Sequence, residues 1–151
     1  MKVIIVTGTP GTGKTKVAKR IAREKGYRYL DVKKLITENN LREKYDKKRQ
    51  TYDVDAKKLN IALVKKINEE KARKTKGIVI DSHLSHYLSP RHVDSCIVTK
   101  TDLKKLRKRL EKRGYSKSKI RENLDAEIFD VCLNEAKEMG HKIKIIKPKK
   151  D

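Results

Sequence analysis

The sequence predicts a three-layer α/β fold around a five-stranded parallel sheet, and three observations carry that prediction. Five short apolar runs, at 3–6, 27–32, 77–81, 93–98 and 143–146, have the length and composition of strands. The segments between them carry helical spacing, and strands that alternate with helices build parallel sheets. The first run passes into Gly8-Thr9-Pro10-Gly11-Thr12-Gly13-Lys14-Thr15, which opens directly into the helical pattern of Val17, Ala18, Ile21 and Ala22.

That octet, set between a strand and a helix, is a P-loop. Gly8, Gly11 and Gly13 let successive backbone N–H groups turn inward on phosphate oxygens, above a helix N-terminus whose dipole attracts anions. Lys14 reaches the terminal phosphates as a point charge, and the Thr15 hydroxyl is placed to complete the shell of a magnesium ion. The loop therefore predicts a nucleoside triphosphate with Mg²⁺.

At 151 residues the chain suits one compact domain. Apolar residues make up 36% and charged residues 40%, but the apolar ones gather into runs and stripes, so the composition describes a folded protein with a heavily charged surface. No apolar run approaches the roughly 18 residues that span a bilayer, and Met1-Lys2-Val3 leads into the first strand without a secretory leader; a cytoplasmic protein is expected. Cys96 on a strand and Cys132 on a helix stripe lack metal-ligand spacing and are expected to fill core. Lys and Arg number 41 against 20 Asp and Glu, a net charge of +21. Two explanations stand side by side: a polyanionic partner such as ribosomal RNA, drawn by counterion release, and plain surface charge of the kind seen at high temperature.

Taken in order, the first helix ends at Gly26 and the second strand follows. Residues 33–53 form a polar helical or irregular excursion anchored by Leu35, Ile36 and Leu41, expected to be a mobile insert. Leu59, Ala62, Leu63, Ile67 and Ala72 give one long amphipathic helix, closed by Gly77. The third strand ends in Asp81-Ser82-His83, and ligands bind at the carboxyl ends of parallel strands, so Asp81 takes the Walker B position facing the P-loop. A carboxylate there holds magnesium or orients the attacking group. His83 can relay a proton or position water, or simply hydrogen-bond in the loop beside His86 and His92. Beyond the fourth strand, Leu103, Leu106 and Leu110 stripe a helix rich in Lys and Arg up to Arg113; it serves as a lid over triphosphate, as an RNA-binding face or as a solvated helix. A single helix over about 117–139 is expected next, then the fifth strand and a charged tail over Lys147–Asp151.

The P-loop, the polar insert with Tyr45-Asp46, the Asp81-Ser82-His83 strand end, and Arg113-Gly114-Tyr115 followed by Glu127-Ile128-Phe129 together resemble the adenylate kinase isoenzyme 6 family across nearly the whole chain. The resemblance implies a P-loop nucleotide kinase fold with strand order 2-3-1-4-5. It implies a nucleoside monophosphate kinase that moves the terminal phosphate of ATP to AMP or dAMP, with ATPase activity as well. It also implies a role in small ribosomal subunit maturation, with a ribosomal protein of universal family 11 and rRNA as partners. Carried over by position, Gly11, Gly13, Lys14, Thr15 and Lys16 bind the ATP phosphates, Asp81 and His83 are the Walker B and catalytic residues, and Arg113, with Arg109, closes on ATP. Residues of about 30–53 would bind the monophosphate and about 103–113 form the lid. Two departures stand out: Lys16 replaces a frequent hydroxyl residue, and the insert offers Lys33, Lys34, Thr37 or Arg42 where a basic residue should grip the acceptor phosphate.

Overall fold

Side chains alternate across a strand, and in the first strand both sets are apolar, so it can only lie in the middle of a covered sheet. That is where the computed structural model, which describes residues 1–148, places it. Val3 and Ile5 enter one apolar layer, Ile4 and Val6 the other. The chain runs β1 (Lys2–Thr7), α1 (Lys14–Lys25), β2 (Arg28–Asp31), α2 (Val32–Glu38), β3 (Arg42–Asp46), β4 (Thr51–Val54), α3 (Ala56–Ala72) and β5 (Gly77–Asp81). Two single 3-10 turns at Ser85–Tyr87 and Pro90–His92 precede β6 (Ser95–Thr99), α4 (Leu103–Lys112), α5 (Lys117–Ile128), α6 (Val131–Met139) and β7 (Ile143–Ile146). The last three residues of the expected charged tail lie outside the described residues.

The main sheet is parallel throughout and ordered β2-β5-β1-β6-β7. Counted among the parallel strands alone this reads 2-3-1-4-5; the detail that differs from expectation is the pair β3 and β4. One face is covered by α1 through Val17, Ala18, Ile21 and Ala22. The other is covered by α3, through Leu59, Leu63 and Ile67, and by α6, through Leu133 and Ala136. Leu59, Leu63 and Ile67 are wholly excluded from solvent, and truncating any one to alanine costs about 2–5 kcal/mol. A third small cluster joins Leu106 and Leu110 of α4 to Ile120 and Leu124 of α5.

Four expectations need correction. Residues 33–53, expected to be helical or irregular, are helical only at their start: after α2, capped by the Asp31 carboxylate, β3 and β4 form an antiparallel hairpin. Its Tyr45 and Tyr52 rings meet edge to face with centroids 4.9 Å apart, a cross-strand contact that favours pairing despite the polar composition. The helix expected over 117–139 is two helices, because Asp130 adopts the left-handed conformation at φ 52° and is held there by Lys100 Nζ, 2.5 Å from its carboxylate. Gly77 does not close α3; it starts β5, where any Cβ would stand 2.6 Å from the Tyr27 ring, and Lys74 makes the left-handed turn instead. Cys96 is buried in the core as expected, but Cys132 is half-buried on a cleft wall. Among the described residues no helix is long and apolar enough to cross a membrane.

Candidate active site

The carboxyl ends of β1, β2 and β5 deliver the P-loop, Tyr29 with Asp31, and Asp81 to one edge of the sheet. Above that edge lies a cleft of about 1200 Å³, closed on its far sides by the β3–β4 hairpin and by α4, α5 and α6. Every residue expected in the site lines it: Gly11, Gly13, Lys14, Thr15, Lys16, Asp81, His83, Arg109 and Arg113. Lysines and arginines on its walls outnumber carboxylates, which suits a polyanionic ligand.

The loop is tightly built. Gly8 stands at φ 150°, where an added Cβ would sit 2.4 Å from Thr99 Oγ1 and 2.8 Å from the Thr99 carbonyl oxygen, so strand β6 presses directly on the backbone. The Thr9 carbonyl accepts from the Thr12 amide at 3.2 Å, from the Thr12 hydroxyl at 2.6 Å and from Lys14 Nζ at 3.3 Å. α1 then begins with a left-handed Gly13, no side-chain cap and no acidic residue in its first turn, leaving its amide dipoles to an anion. Burial lowers the Lys14 pKa to about 8, against the pull of Asp81 and with the help of Arg113 and Lys33. A phosphate group is the natural counter-charge for it.

Asp81 Oδ2 accepts two hydrogen bonds, from Thr15 Oγ1 at 2.7 Å and from Tyr29 OH at 2.8 Å. Burial, together with the Asp81 carboxylate, pushes the Tyr29 hydroxyl above its ordinary range, so it stays a donor. His83 opens to the solvent of the cleft, yet the walls strip much of the water from its ring. That desolvation, with Lys14, His86, Lys33 and Lys119 around it, lowers its pKa to about 4. The side chain is therefore neutral near pH 7. Arg109 donates to the Gly11 carbonyl at 2.9 Å, tying α4 to the loop, while Arg113 is exposed at the end of α4 and faces the cleft. Lys33, at the start of α2, and Arg42, on β3, line the opposite wall; Lys34 and Thr37 do not.

The hairpin reaches across to α5. Gln50 Oε1 accepts the Ser116 amide at 2.7 Å, Lys119 Nζ donates to the Gln50 carbonyl at 3.2 Å, and Arg49 Nε lies 3.1 Å from Glu122 Oε1. These contacts bridge the cleft mouth.

Sequence reasoning missed several groups. Tyr29 could have been found, since it lies two residues before Asp31 on the same strand and so shares its face. His86 could not: it is buried under the loop, with Nδ1 at 2.7 Å from Thr7 Oγ1 and Nε2 at 3.6 Å from Glu135 Oε1, while Tyr87 OH bonds the same carboxylate. No spacing in the sequence relates residues 7, 86 and 135.

Comparison with known proteins agrees with this geometry. The AAA domain family matches residues 4–130. The adenylate kinase isoenzyme 6 homolog of Schizosaccharomyces pombe is 41% identical over 135 residues, covering 89% of this chain and 74% of that protein. The homolog of the same name in Caenorhabditis elegans is 36% identical, covering 89% and 72%. Among solved structures, a deoxyadenosine kinase from M. mycoides with bound dATP superposes with a TM-score of 0.54 at 16% identity, covering all of this chain and 93% of that one. A shikimate kinase from Acinetobacter baumannii superposes at 0.63 and 13% identity, covering all of this chain and 86% of that one. The structural likenesses establish the fold. With the sequence identities, and with a P-loop, an Asp81-x-His83 strand end and the hairpin insert on one cleft, they show that the chain belongs to the adenylate kinase isoenzyme 6 family.

Proposed function

We propose that the protein is an ATP-dependent nucleoside monophosphate kinase, with AMP or dAMP as acceptor and slow ATP hydrolysis when no acceptor is bound. The observation that carries this reading is the single cleft joining a triphosphate loop to a second basic wall at Lys33 and Arg42. A bare ATPase has no need of that second wall. In this reading the chain is one P-loop domain, with residues of about 30–53 binding the monophosphate and about 103–113 acting as the lid.

The geometry supports the following roles. Lys14, leaving the Thr9 carbonyl, takes the β- and γ-phosphates with the amides of Gly11, Gly13, Thr15 and Lys16. Thr15 and Asp81 suit magnesium, because a hydroxyl and a carboxylate 2.7 Å apart are the hard oxygen donors that it prefers, phosphates and water completing its shell. When bound, the ion adds positive charge at the transferring phosphates. Arg113, with Arg109 behind it, offsets charge developing in the transition state and closes out water. His83, neutral, orients the acceptor by hydrogen bonding or takes its proton.

The test is turnover of ATP with and without each nucleoside monophosphate, separating nucleoside diphosphate from free phosphate by chromatography. Diphosphate formed much faster than phosphate supports the kinase. Phosphate release alone, whatever is added, overturns it. Lys14→Ala is expected to lower turnover on the order of a hundredfold or more while leaving the fold intact.

One observation favours a second reading, an ATP-cycling assembly factor on ribosomal RNA and protein in the cytoplasm. The outer face of α4 exposes Lys104, Arg107, Lys108 and Lys112, opposite the buried Leu106 and Leu110. RNA binding that weakens steeply with salt and responds to ATP supports it; RNA binding indifferent to ATP counts against it.

A further inference from the structure

Glu127, the last residue but one of α5, is only 5% exposed and lies outside the cleft. A buried carboxylate is costly unless it is paired and hydrogen-bonded, and both oxygens of this one have partners. Oε1 accepts from Thr9 Oγ1 at 3.1 Å and meets Lys100 Nζ at 2.9 Å, while Oε2 accepts from the Thr101 amide at 2.9 Å. Lys100 Nζ also donates to the Glu127 carbonyl at 2.9 Å. Three separate segments thus meet on one side chain: the P-loop, the loop after β6, and the α5–α6 corner.

Thr9 is the point of interest. Its hydroxyl is held by Glu127, and its carbonyl is the acceptor on which both Thr12 and the Lys14 ammonium rest. Thr9 itself is 2% exposed, so its side chain has no alternative partner in water. We propose that Glu127 is a positioning residue for the phosphate-binding loop: it fixes Thr9, and through the Thr9 carbonyl it fixes where Lys14 waits before nucleotide arrives. A loop already held in its binding shape loses little conformational entropy on taking up phosphate, which tightens binding without any added contact. The inference rests on the loop being a triphosphate site.

The first measurement needs no nucleotide. Glu127→Gln keeps the volume but removes the charge and replaces one acceptor by a donor; Thr9→Val keeps the threonine shape and removes only the hydroxyl. In both, amide hydrogen exchange over residues 9–13 is expected to quicken by about tenfold, with β5 and α1 unchanged. Affinity for a fluorescent ATP analogue is expected to fall by about tenfold in each, and the double variant is expected to bind no worse than the weaker single, because both act through one contact. Exchange over the loop matching the wild type, exchange quickened equally across the sheet, or affinity losses that multiply in the double variant would each overturn the proposal. Should Glu127→Gln fail to fold, Thr9→Val alone decides it by the same exchange readout. If the loop loosens as expected but the unaltered protein binds no ATP, the kinase reading fails and the positioning role stands.

Discussion

Tyr29 donates its hydroxyl to Asp81 Oδ2, the same oxygen that accepts from Thr15. β2 and β5 are register partners at this point, so the tyrosine reaches the carboxylate from the neighbouring strand. A hydrogen bond to a charged acceptor contributes about 1.5–3 kcal/mol when buried, and Tyr29 is half-buried. Tyr29→Phe should therefore lower stability by about 1–2 kcal/mol in denaturant unfolding and raise the magnesium needed for half-maximal turnover severalfold. Unchanged magnesium dependence would show that Asp81 is oriented without its neighbour.

Lys14 supplies a test that needs no catalysis. Its folded pKa of about 8 lies below the ordinary 10.5, so the folded state binds fewer protons between those values and stability rises with pH across that window. Lys14→Met removes this slope and should be the more stable protein near pH 7. Triphosphate restores the ammonium, so ATP binding at about pH 9 should take up as much as roughly one proton, and almost none at Lys14 near pH 6.5. Calorimetry in buffers of different ionisation enthalpy reads the number directly.

His83 is neutral above about pH 5. Its lowered pKa destabilises the folded state as pH falls from 6.5 towards 4, since the unfolded chain then takes up the proton first. The rate profile should carry no limb from His83 between about pH 6 and 8. A limb near pH 6.5 that disappears in His83→Gln would contradict the neutral assignment.

The bridge from hairpin to α5 should matter for rate more than for stability. Arg49 and Glu122 are both well exposed, and such pairs contribute about 0–1 kcal/mol. Arg49→Ala combined with Gln50→Ala should leave the melting temperature within a few degrees of the parent, since the loss is about 1 kcal/mol. Release of bound nucleotide, followed by stopped-flow fluorescence, should quicken severalfold if the bridge holds the cleft mouth. Equal release rates would remove it from the binding pathway.

Gly8 makes the opposite case. With φ at 150° and the Thr99 carbonyl 2.8 Å from any added Cβ, Gly8→Ala must displace backbone rather than a flexible side chain. A loss on the order of 2–4 kcal/mol is expected, read as a large drop in melting temperature. A melting temperature within a degree of the parent would mean that β6 yields.

Most of the parallel sheet was legible because both faces of each inner strand are apolar and leave continuous runs, as in Gly77–Asp81. The P-loop and Asp81 were legible because the chemistry lies in adjacent residues. The hairpin was not, because its pairing depends on Tyr45 meeting Tyr52 across a turn of charged residues rather than on alternation. The break at Asp130 was hidden for a related reason: the apolar stripe continues through it, and only the distant Lys100 reveals why the helix stops. Arg109 was legible as a residue near the P-loop, though its bond to the Gly11 carbonyl was not.

The central place of β1 has a consequence for how the chain is made. Lys2 pairs with Gly77 and Ile4 with Ser95, so the strand that carries the P-loop has no hydrogen-bonding neighbour until residues far downstream have emerged. At about 5–20 residues per second, synthesis leaves that apolar strand unpartnered for several seconds or more. Closing such long-range parallel pairs is intrinsically slow. The nascent chain is thus most exposed to misassembly through the very segment that carries the P-loop.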